Sequence, residues 1–361
     1  YHDGQFDDAR LVINLAETSA EQGATLMNYM PVHALQKRSG LVRGVVALDL
    51  ETDTEYALEG RVVINATGPF SDSIRMMDDN ASLPMIAHSQ GVHIVLDKAF
   101  LPGNDAIMVP HTDDGRVLFA IPWHNKVLVG TTDTPLTSCD SEPKPLPEEI
   151  DFLLKHTARY LSKDPSAKDV LSMFAGVRPL VTNPEAENTA AISREHVVSI
   201  SKSGLVTIAG GKWTTYRKMA EDTLEQATII GDLEPRSCVS AELQIHGYHQ
   251  HAEKFGDLAV YGADAVDIKQ LYMDRPELQE KIHPDLEYTR AEVVWAVREE
   301  MALTVEDVLS RRTRAILLDA RAAVDMAVGV AEIMADELKK SPKWQQEQVE
   351  KFKNLAQNYI L

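Results

Sequence analysis

The sequence has only two cysteines, no long apolar run and no excess of positive charge. Cys139 and Cys238 are too few for a disulfide framework, which favours a reducing compartment. No apolar run approaches the ~18 to 20 residues that span a bilayer, and no signal peptide is visible. The formal net charge of -19 over 361 residues argues against a general nucleic-acid binder. It leaves room for a local basic pocket that takes an anionic substrate.

The stretch of residues 204–225 predicts a strand, a turn with two glycines and a helix. Residues 205–209 are apolar and β-branched, which is typical of a buried strand, and the apolar spacing after Trp213 is helical. Gly210 and Gly211 allow a ligand to approach the backbone, because a Cβ would collide with it. The first N–H groups of a helix favour an anion at the same place.

Lys212 lies in this turn and adds a full positive charge where the helix begins. A Walker phosphate loop is excluded, because Val206 stands five positions before Gly211 and Trp213 follows Lys212. The turn is therefore predicted to hold a ligand through its backbone N–H groups together with the Lys212 charge. A tight connection between strand and helix without a ligand is the alternative.

Changes of pattern along the chain predict several domains in a mixed α/β and α+β fold. Residues 62–64 indicate a buried strand that runs into the small residues 66–68. Residues 85–135 hold short strands separated by turn residues, which predicts an antiparallel sheet, and residues beyond 232 show helical periodicity. The predicted boundaries are 1–84 and 169–231 for a ligand-binding domain, 85–168 for an inserted domain on the antiparallel sheet, and 232–361 for an all-α C-terminal domain.

Shorter signals predict local structure. Residues 25–30 predict a strand, and residues 45–50 and 56–58 predict an antiparallel pair. Thr304, with Asp307 three residues later, resembles a capping box at the start of a helix.

Six motifs together resemble the family of FAD-dependent glycerol-3-phosphate dehydrogenases. Each is weak alone, but six in the family's order and spacing are a strong signal, and the similarity covers nearly the whole chain, including Arg311-Arg312-Thr313-Arg314. The motifs are Tyr1-His2-Asp3-Gly4 with Asp7-Asp8-Ala9-Arg10, Asn65-Ala66-Thr67-Gly68-Pro69, Gly91-Val92-His93-Ile94-Val95, Gly130-Thr131-Thr132-Asp133-Thr134, Gly176-Val177-Arg178-Pro179-Leu180 and Gly210-Gly211-Lys212-Trp213-Thr214-Thr215-Tyr216-Arg217.

The resemblance implies a glutathione-reductase-type FAD domain, a substrate domain on an antiparallel sheet and a helical cap. The implied reaction is oxidation of sn-glycerol 3-phosphate to dihydroxyacetone phosphate by hydride transfer to FAD, with electrons passed to quinone or oxygen. The family's N-terminal Gly-x-Gly-x-x-Gly segment, which holds the FAD pyrophosphate, does not occur in this sequence. The chain is therefore expected to be the C-terminal two-thirds of such an enzyme, binding FAD weakly or not at all as supplied.

The resemblance also implies which residues contact FAD. They follow the two predicted strand ends, and one lies where the backbone of this fold meets the adenine. They are Ala66, Thr67, Gly68, Gly210, Gly211, Lys212, Trp213 and Thr214, with Val32 near the adenine. Backbone N–H groups at the helix start suit the negative charge that develops on the reduced flavin.

Three residues are the candidates for catalysis. Arg178 is expected to grip the substrate phosphate with two hydrogen bonds, and Lys212 to bind phosphate or the developing alkoxide. His93, within a predicted strand, is the first candidate for general base, although a lone strand histidine is more often a core residue. Thr215 and Tyr216 are candidates for substrate contact, with helical packing as the alternative.

No metal site is predicted, because His246, His249 and His251 fall in an irregular linker that reads as a solvated loop. Arg311, Arg312 and Arg314 are expected to pair with nearby acids rather than with lipid. Two other functions stay open: a related FAD-dependent oxidase of amino acids or hydroxy acids, and a non-catalytic fragment of the dehydrogenase. The expected location is cytoplasmic, with peripheral association at the inner face of the cell membrane left open.

Overall fold

A computed structural model describes residues 4–110, 112, 115–182 and 195–361. Tyr1, His2 and Asp3, which belong to the first motif, lie outside the described residues. The described part contains a small mixed sheet, an antiparallel meander, a larger antiparallel sheet and a helical C-terminal region. The mixed α/β class with an all-α C-terminal region is confirmed.

The small mixed sheet contains the two strands that the sequence marks as ligand-facing. Its order is β11 (His196–Ile200), β12 (Val206–Gly210) and β4 (Ile64–Asn65), with β12 antiparallel to β11 and parallel to β4. Helix α2 (Ser71–Asp78) follows β4, and α4 (Tyr216–Gly231) follows β12. Because β4 and β12 are parallel, their carboxyl ends lie at the same edge of the sheet.

The meander consists of β1 (Val32–Arg38), β2 (Leu41–Asp49) and β3 (Thr54–Glu59), and it confirms the predicted antiparallel pair. The strand predicted over residues 25–30 is wrong, because that segment is irregular and β1 begins only at Val32. Tyr29 has a φ of 54° and its hydroxyl donates to Asp307 at 2.8 Å. Asn28 donates to the carbonyl of Met301 at 2.8 Å. Side-chain contacts with the helical region therefore replace a strand ladder here.

The antiparallel sheet predicted over residues 85–135 is confirmed, and it also contains a strand beyond residue 168, in the segment predicted for the ligand-binding domain. Its strand order is β10 (Val170–Val181), β5 (Ile86–Asp97), β8 (Lys126–Gly130), β7 (Leu118–Trp123) and β6 (Ile107–Val109), and β9 (Thr134–Leu136) also pairs with β5. Helix α3 (Pro147–Thr157) buries Ile150 and Leu153 in the same apolar core as Val92 and Ile94 of β5. In the register, Gly91 opposes Gly176, and His93 opposes Phe174 on one side and Gly130 on the other.

The C-terminal region is helical, as predicted, around a second apolar core. Its helices are α5 (Ala265–Asp274), α6 (Arg290–Arg298), α7 (Ala315–Leu318), α8 (Ala320–Leu338) and α9 (Pro342–Ala356), with a π-helical turn over Asp307–Arg312. The capping box is confirmed: the Thr304 N–H donates to Asp307 at 3.0 Å, and the Asp307 N–H donates to the Thr304 hydroxyl at 3.1 Å. Over the residues described, no helix has both the length and the apolar character needed to cross a bilayer.

Helix α1 (Asp8–Glu21) joins the N-terminal part of the chain to this helical region. Asp7 caps it by accepting the N–H of Arg10 at 3.0 Å. The Arg10 guanidinium pairs with the Glu300 carboxylate, and the two side chains are 7% and 1% exposed. A buried ion pair thus connects two segments 290 residues apart in sequence.

Candidate active site

The loop that follows β8 fixes the Arg178 guanidinium on the antiparallel sheet. Its Nη1 donates to the carbonyl oxygen of Thr132 at 3.1 Å, and Nη2 donates to the Thr131 hydroxyl at 3.0 Å. The Asp133 carboxylate lies 3.7 Å from Nη1. A Cβ at Gly91 would overlap the guanidinium, so glycine at that position leaves it room. Arg178 is therefore oriented by its neighbours, and 31% of its side-chain surface is still exposed.

A buried carboxylate, Glu149 of α3, accepts hydrogen bonds from this loop. It is 4% exposed and accepts four hydrogen bonds. The donors are the Gln90 amide at 2.8 Å, the hydroxyls of Thr132 at 2.8 Å and Thr134 at 2.6 Å, and the Leu146 N–H at 2.9 Å. Since Thr132 also accepts from Arg178, Glu149 helps to position the guanidinium without touching it.

His93 lies on β5 with its ring against two neighbouring strands. Its ring stacks on Phe174 with centroids 5.4 Å apart and planes 17° apart. A Cβ at Gly130 would overlap the ring, so that glycine provides the space for it. Burial, together with the positive charge of Arg178, lowers the pKa of His93 from 6.5 to about 4. The imidazole is therefore neutral at physiological pH, and it is a weaker base than a solvent-exposed histidine.

His93 and Arg178 line one cavity of about 510 Å³ between the sheet and the helical region. The helical side contributes polar groups from the π-helical turn and its neighbourhood, namely Glu306, Ser310, Arg311, Arg314 and Tyr359. A fixed cation and a neutral imidazole in one cavity suit an anionic substrate that must lose a proton.

The three arginines near this cavity pair with acids, as the sequence analysis expects. The Arg311 guanidinium contacts Asp307 at 3.3 Å, and that of Arg312 lies 3.8 Å from the same carboxylate. Arg314 donates to Asp8 at 2.9 Å. These side chains therefore connect parts of the chain, and Arg314 ties the helical region to α1.

The carboxyl ends of β4 and β12 leave space for a ligand to approach the backbone. Gly68, Gly210 and Gly211 have φ values of 56°, 72° and 81°, which favour glycine. No atom lies within 4 Å of a Cβ built on Gly68, so the space beside it is open. A Cβ on Gly211 would instead overlap the Met219 sulfur of α4, so that glycine also permits close packing of strand and helix.

The side chains after these glycines are partly engaged in the turn itself. The Thr215 hydroxyl donates to the Lys212 carbonyl at 3.0 Å and accepts the Lys212 N–H at 3.3 Å. The Trp213 ring packs against Tyr216, with centroids 5.1 Å apart, and against Phe6 at 6.1 Å. Thr215 and Tyr216 thus have local packing partners, as the alternative interpretation expects, and their contact with substrate stays a prediction.

The structure brings together only part of the predicted site. His93 and Arg178 share a cavity, whereas Lys212 is not among the described residues that line it. The two regions are adjacent, because a Cβ on Gly210 would lie 2.9 Å from Val181 of β10, three residues beyond Arg178. Val32 opens β1 and pairs with Ala47. Its role beside adenine stays a prediction, as do the roles of Ala66, Thr67 and Thr214.

Sequence reasoning missed the residues that support the site. Thr131, Thr132 and Asp133 are noted from the sequence only as part of a motif, and Glu149 is not singled out at all. The available signal was a polar run directly after a strand and a carboxylate in the first turn of α3. Pattern alone does not reveal that the two meet, because they are joined through side-chain hydrogen bonds between separate elements.

Two family models match the chain. One, described as FAD dependent oxidoreductase, covers residues 1–217, and the other, described as the C-terminal domain of alpha-glycerophosphate oxidase, covers residues 205–348. Among solved structures, the glycerol-3-phosphate dehydrogenase from Bacillus halodurans complexed with FAD has a TM-score of 0.84 at 29% identity. That alignment covers 98% of this chain and 74% of the other.

Curated relatives of the chain are also named as glycerol-3-phosphate dehydrogenases. The mitochondrial glycerol-3-phosphate dehydrogenase of Rattus norvegicus is 39% identical over 97% of this chain and 52% of its own length. A probable mitochondrial glycerol-3-phosphate dehydrogenase of Caenorhabditis elegans is 38% identical, with the same coverage. The chain therefore spans about half the length of these relatives.

Proposed function

Because the chain belongs to the FAD dependent oxidoreductase family, we propose that the protein oxidises sn-glycerol 3-phosphate to dihydroxyacetone phosphate. The observation that carries this proposal is the Arg178 guanidinium, fixed in the same cavity as the neutral imidazole of His93. The names of the relatives supply the substrate, and the cavity supplies groups that match its chemistry.

Arg178 binds the substrate phosphate in this proposal. A planar guanidinium donates two parallel hydrogen bonds to phosphate oxygens, and it stays charged at any physiological pH. The contacts with Thr131 and Thr132 hold it in place before substrate arrives, which lowers the entropy cost of binding. Lys212 contributes a second positive charge from the neighbouring turn.

His93 takes the proton of the substrate hydroxyl. Burial and the Arg178 charge keep this imidazole unprotonated at working pH, as a general base requires, but the same two effects weaken it as a base. A substrate phosphate bound to Arg178 would offset the guanidinium charge and so raise the basicity of His93. When the secondary alcohol becomes a ketone, a proton leaves oxygen and a hydride leaves carbon. FAD supplies the hydride acceptor when it is bound.

The residues present fit the part of an FAD site that approaches the flavin ring. Gly68 leaves open space at the end of β4, and the positive φ values of Gly210 and Gly211 bend the backbone ahead of the helical turn. The other holding groups belong to the same two strand ends, namely Ala66, Thr67, Lys212, Trp213 and Thr214, with Val32 towards the adenine. The helix start favours negative charge on the bound group.

A quinone, or oxygen, is the proposed electron acceptor. The proposed location of the enzyme is the inner face of the cell membrane. The resemblance to the family is the support for both. Quinones are dissolved in the bilayer, so an enzyme that reduces them works at a membrane surface. Comparing oxygen uptake with reduction of a water-soluble quinone distinguishes the two acceptors.

The decisive test is anaerobic reduction of the FAD-loaded protein by glycerol 3-phosphate, followed by the loss of flavin absorbance. Arg178→Ala is expected to weaken substrate binding by about 10- to 100-fold, because hydrogen bonds to charged groups are worth about 1.5 to 3 kcal/mol. His93→Gln is expected to slow reduction by about 100-fold or more, with binding retained. Arg38→Ala is the matched control, since that side chain is 74% exposed on β1.

Three outcomes would contradict the proposal. Reduction by a 2-hydroxy acid or an amino acid, but not by glycerol 3-phosphate, would favour a related oxidase. A melting temperature that FAD leaves unchanged would identify the chain as non-catalytic by itself. Unchanged reduction kinetics in His93→Gln would remove His93 as the base.

A further inference from the structure

His246 lies among carboxylates where α1 meets the segment before α5. Its Nδ1 is 2.7 Å from Oε1 of Glu21. Its Nε2 is 3.0 Å from Oδ2 of Asp264 and 3.6 Å from Oε2 of Glu17. Glu17, His246 and Asp264 are referred to below as the His246 cluster. It lies apart from the cavity of His93 and Arg178, and none of its three residues lines that cavity.

The solvated loop predicted around His246 is wrong for this residue. Its side chain is only 25% exposed, whereas that of His251 in the same segment is 51% exposed. The difference arises because His246 faces α1, and His251 lies at the surface. The two histidines therefore form a natural pair of test and control positions.

The backbone holds the cluster in place. The His246 N–H donates to the Thr18 hydroxyl of α1 at 2.8 Å. The Ala263 N–H, next to Asp264, donates to the Gly247 carbonyl at 2.9 Å, and a Cβ at Gly262 would overlap that carbonyl. Since residues adjacent to His246 and Asp264 bond to each other, the side chains of both are presented from fixed positions.

The atoms of the cluster have the spacing of metal ligands. A first-row cation with bonds of ~2.0 to 2.2 Å in a tetrahedral site places its ligand atoms about 3.4 Å apart. The distances from the His246 Nε2 to the two carboxylate oxygens, 3.0 and 3.6 Å, lie on either side of this value. All three ligand atoms lie within 4.8 Å of one another. A cation can therefore replace the proton between the imidazole and the carboxylates with little movement.

An unpartnered oxygen is an independent indication of a ligand. Oε2 of Glu17 is buried and has no hydrogen-bond partner among the described residues. Buried carboxylate oxygens without a donor are rare, because losing solvent without a replacement bond costs free energy. Arg10, whose charge also acts on Glu17, forms its ion pair with Glu300. This oxygen lies 3.6 Å from the His246 Nε2, beyond hydrogen-bond distance and close to the spacing of two ligands on one cation.

We propose that Glu17, His246 and Asp264 bind a divalent transition-metal cation of the Zn²⁺ type, with water completing the coordination. One imidazole nitrogen and two carboxylate oxygens favour such an ion over Ca²⁺ or Mg²⁺, which take oxygen ligands. Glu21 accepts the hydrogen bond of Nδ1 and so directs Nε2 to the metal, as carboxylates do in many metal sites. The ion would fasten α1 to the segment before α5, independently of the proposed oxidoreductase function.

The test is titration calorimetry of the chain, first stripped with a chelator, using Zn²⁺, Mn²⁺ and Ca²⁺ in separate experiments. Zn²⁺ is expected to bind at one ion per chain and to raise the melting temperature. Ca²⁺ is expected to bind far more weakly. The measurement needs neither FAD nor substrate, so its failure would leave the proposed function untouched.

Variants assign the ligands. Glu17→Gln keeps the size of the side chain and removes a ligand, and it is expected to weaken Zn²⁺ binding by more than the ~10- to 100-fold typical of losing an orienting group. Glu21→Gln is expected to fall within that range. His251→Gln, the exposed control, is expected to bind as the unaltered chain does. Circular dichroism confirms that each variant is folded before titration.

Two results would overturn the proposal. One is the absence of stoichiometric Zn²⁺ binding by the folded chain. The other is binding that survives in Glu17→Gln and is lost in His251→Gln, which would assign the metal to surface histidines.

Discussion

Replacing His93 with glutamine is expected to remove a pH dependence that the buried imidazole imposes on folding. Burial disfavours the imidazolium, and the Arg178 guanidinium repels it, so the pKa in the folded state is about 4. In the unfolded chain the ring regains its ordinary pKa of 6.5. Between these two values the unfolded chain binds a proton that the folded chain does not.

This difference in proton binding makes the free energy of unfolding depend on pH. As the pH falls from 6.5 towards 4, protonation stabilises only the unfolded chain, and the free energy of unfolding decreases. The full contribution is present above pH 6.5, and its loss down to pH 4 amounts to about 3 kcal/mol. Glutamine does not titrate, so the variant lacks this contribution at every pH.

Urea unfolding of both proteins at about pH 7.5 and about pH 5 measures the effect. The unaltered chain is expected to lose about 2 kcal/mol more than His93→Gln over this interval. His251→Gln, an exposed control, should follow the unaltered chain. An equal loss in all three proteins would refute the reasoning, since the His93 imidazole would then titrate alike in the folded and unfolded states.

Two further predictions concern stability. Arg10→Met leaves the Glu300 carboxylate buried without its cation, so it is expected to lower the free energy of unfolding by about 3 to 5 kcal/mol in urea. The double variant that adds Glu300→Gln is expected to recover part of this loss. A loss below about 1 kcal/mol in Arg10→Met would contradict the prediction. Gly130→Ala places a methyl group against the His93 ring, so it is expected to lower the free energy of unfolding by about 1 to 3 kcal/mol in the same measurement. Gly176→Ala serves as the control, because its added methyl group meets no atom within 4 Å. Equal costs for the two alanines would show that the ring moves aside freely.

The sequence predicts elements well where periodicity and local chemistry agree. Strand β12, its glycine turn and helix α4 follow from one apolar run, two glycines and a helical spacing. The Thr304–Asp307 box follows from a local rule and is present. The strand expected over residues 25–30 is absent, because Tyr29 and Asn28 bond to residues about 270 positions away. No local rule contains such contacts.

In the candidate site, too, local sequence signals predict the residue types, whereas contacts between distant segments set their geometry. Arg178 and His93 are predictable as residue types within motifs, but the geometry that makes them useful depends on groups from other elements. Thr131 and Thr132 orient the guanidinium, and Glu149 fixes Thr132 from a helix that begins 15 residues later in the chain. His246 is the reverse case, since its sequence neighbours suggest a solvated loop and its spatial neighbours are carboxylates of α1 and the segment before α5.

Glycines on neighbouring strands provide the space that Arg178 and His93 occupy. Gly91 gives space to Arg178 and Gly130 gives space to His93, so each candidate catalytic group occupies volume that a Cβ would otherwise take. Such glycines weaken a strand, because they add backbone entropy to the unfolded chain and bury no side chain. Their cost is offset if the two groups must be held in one orientation before substrate binds. The cavity of His93 and Arg178 is therefore organised by the antiparallel sheet and α3, separately from the carboxyl ends of β4 and β12.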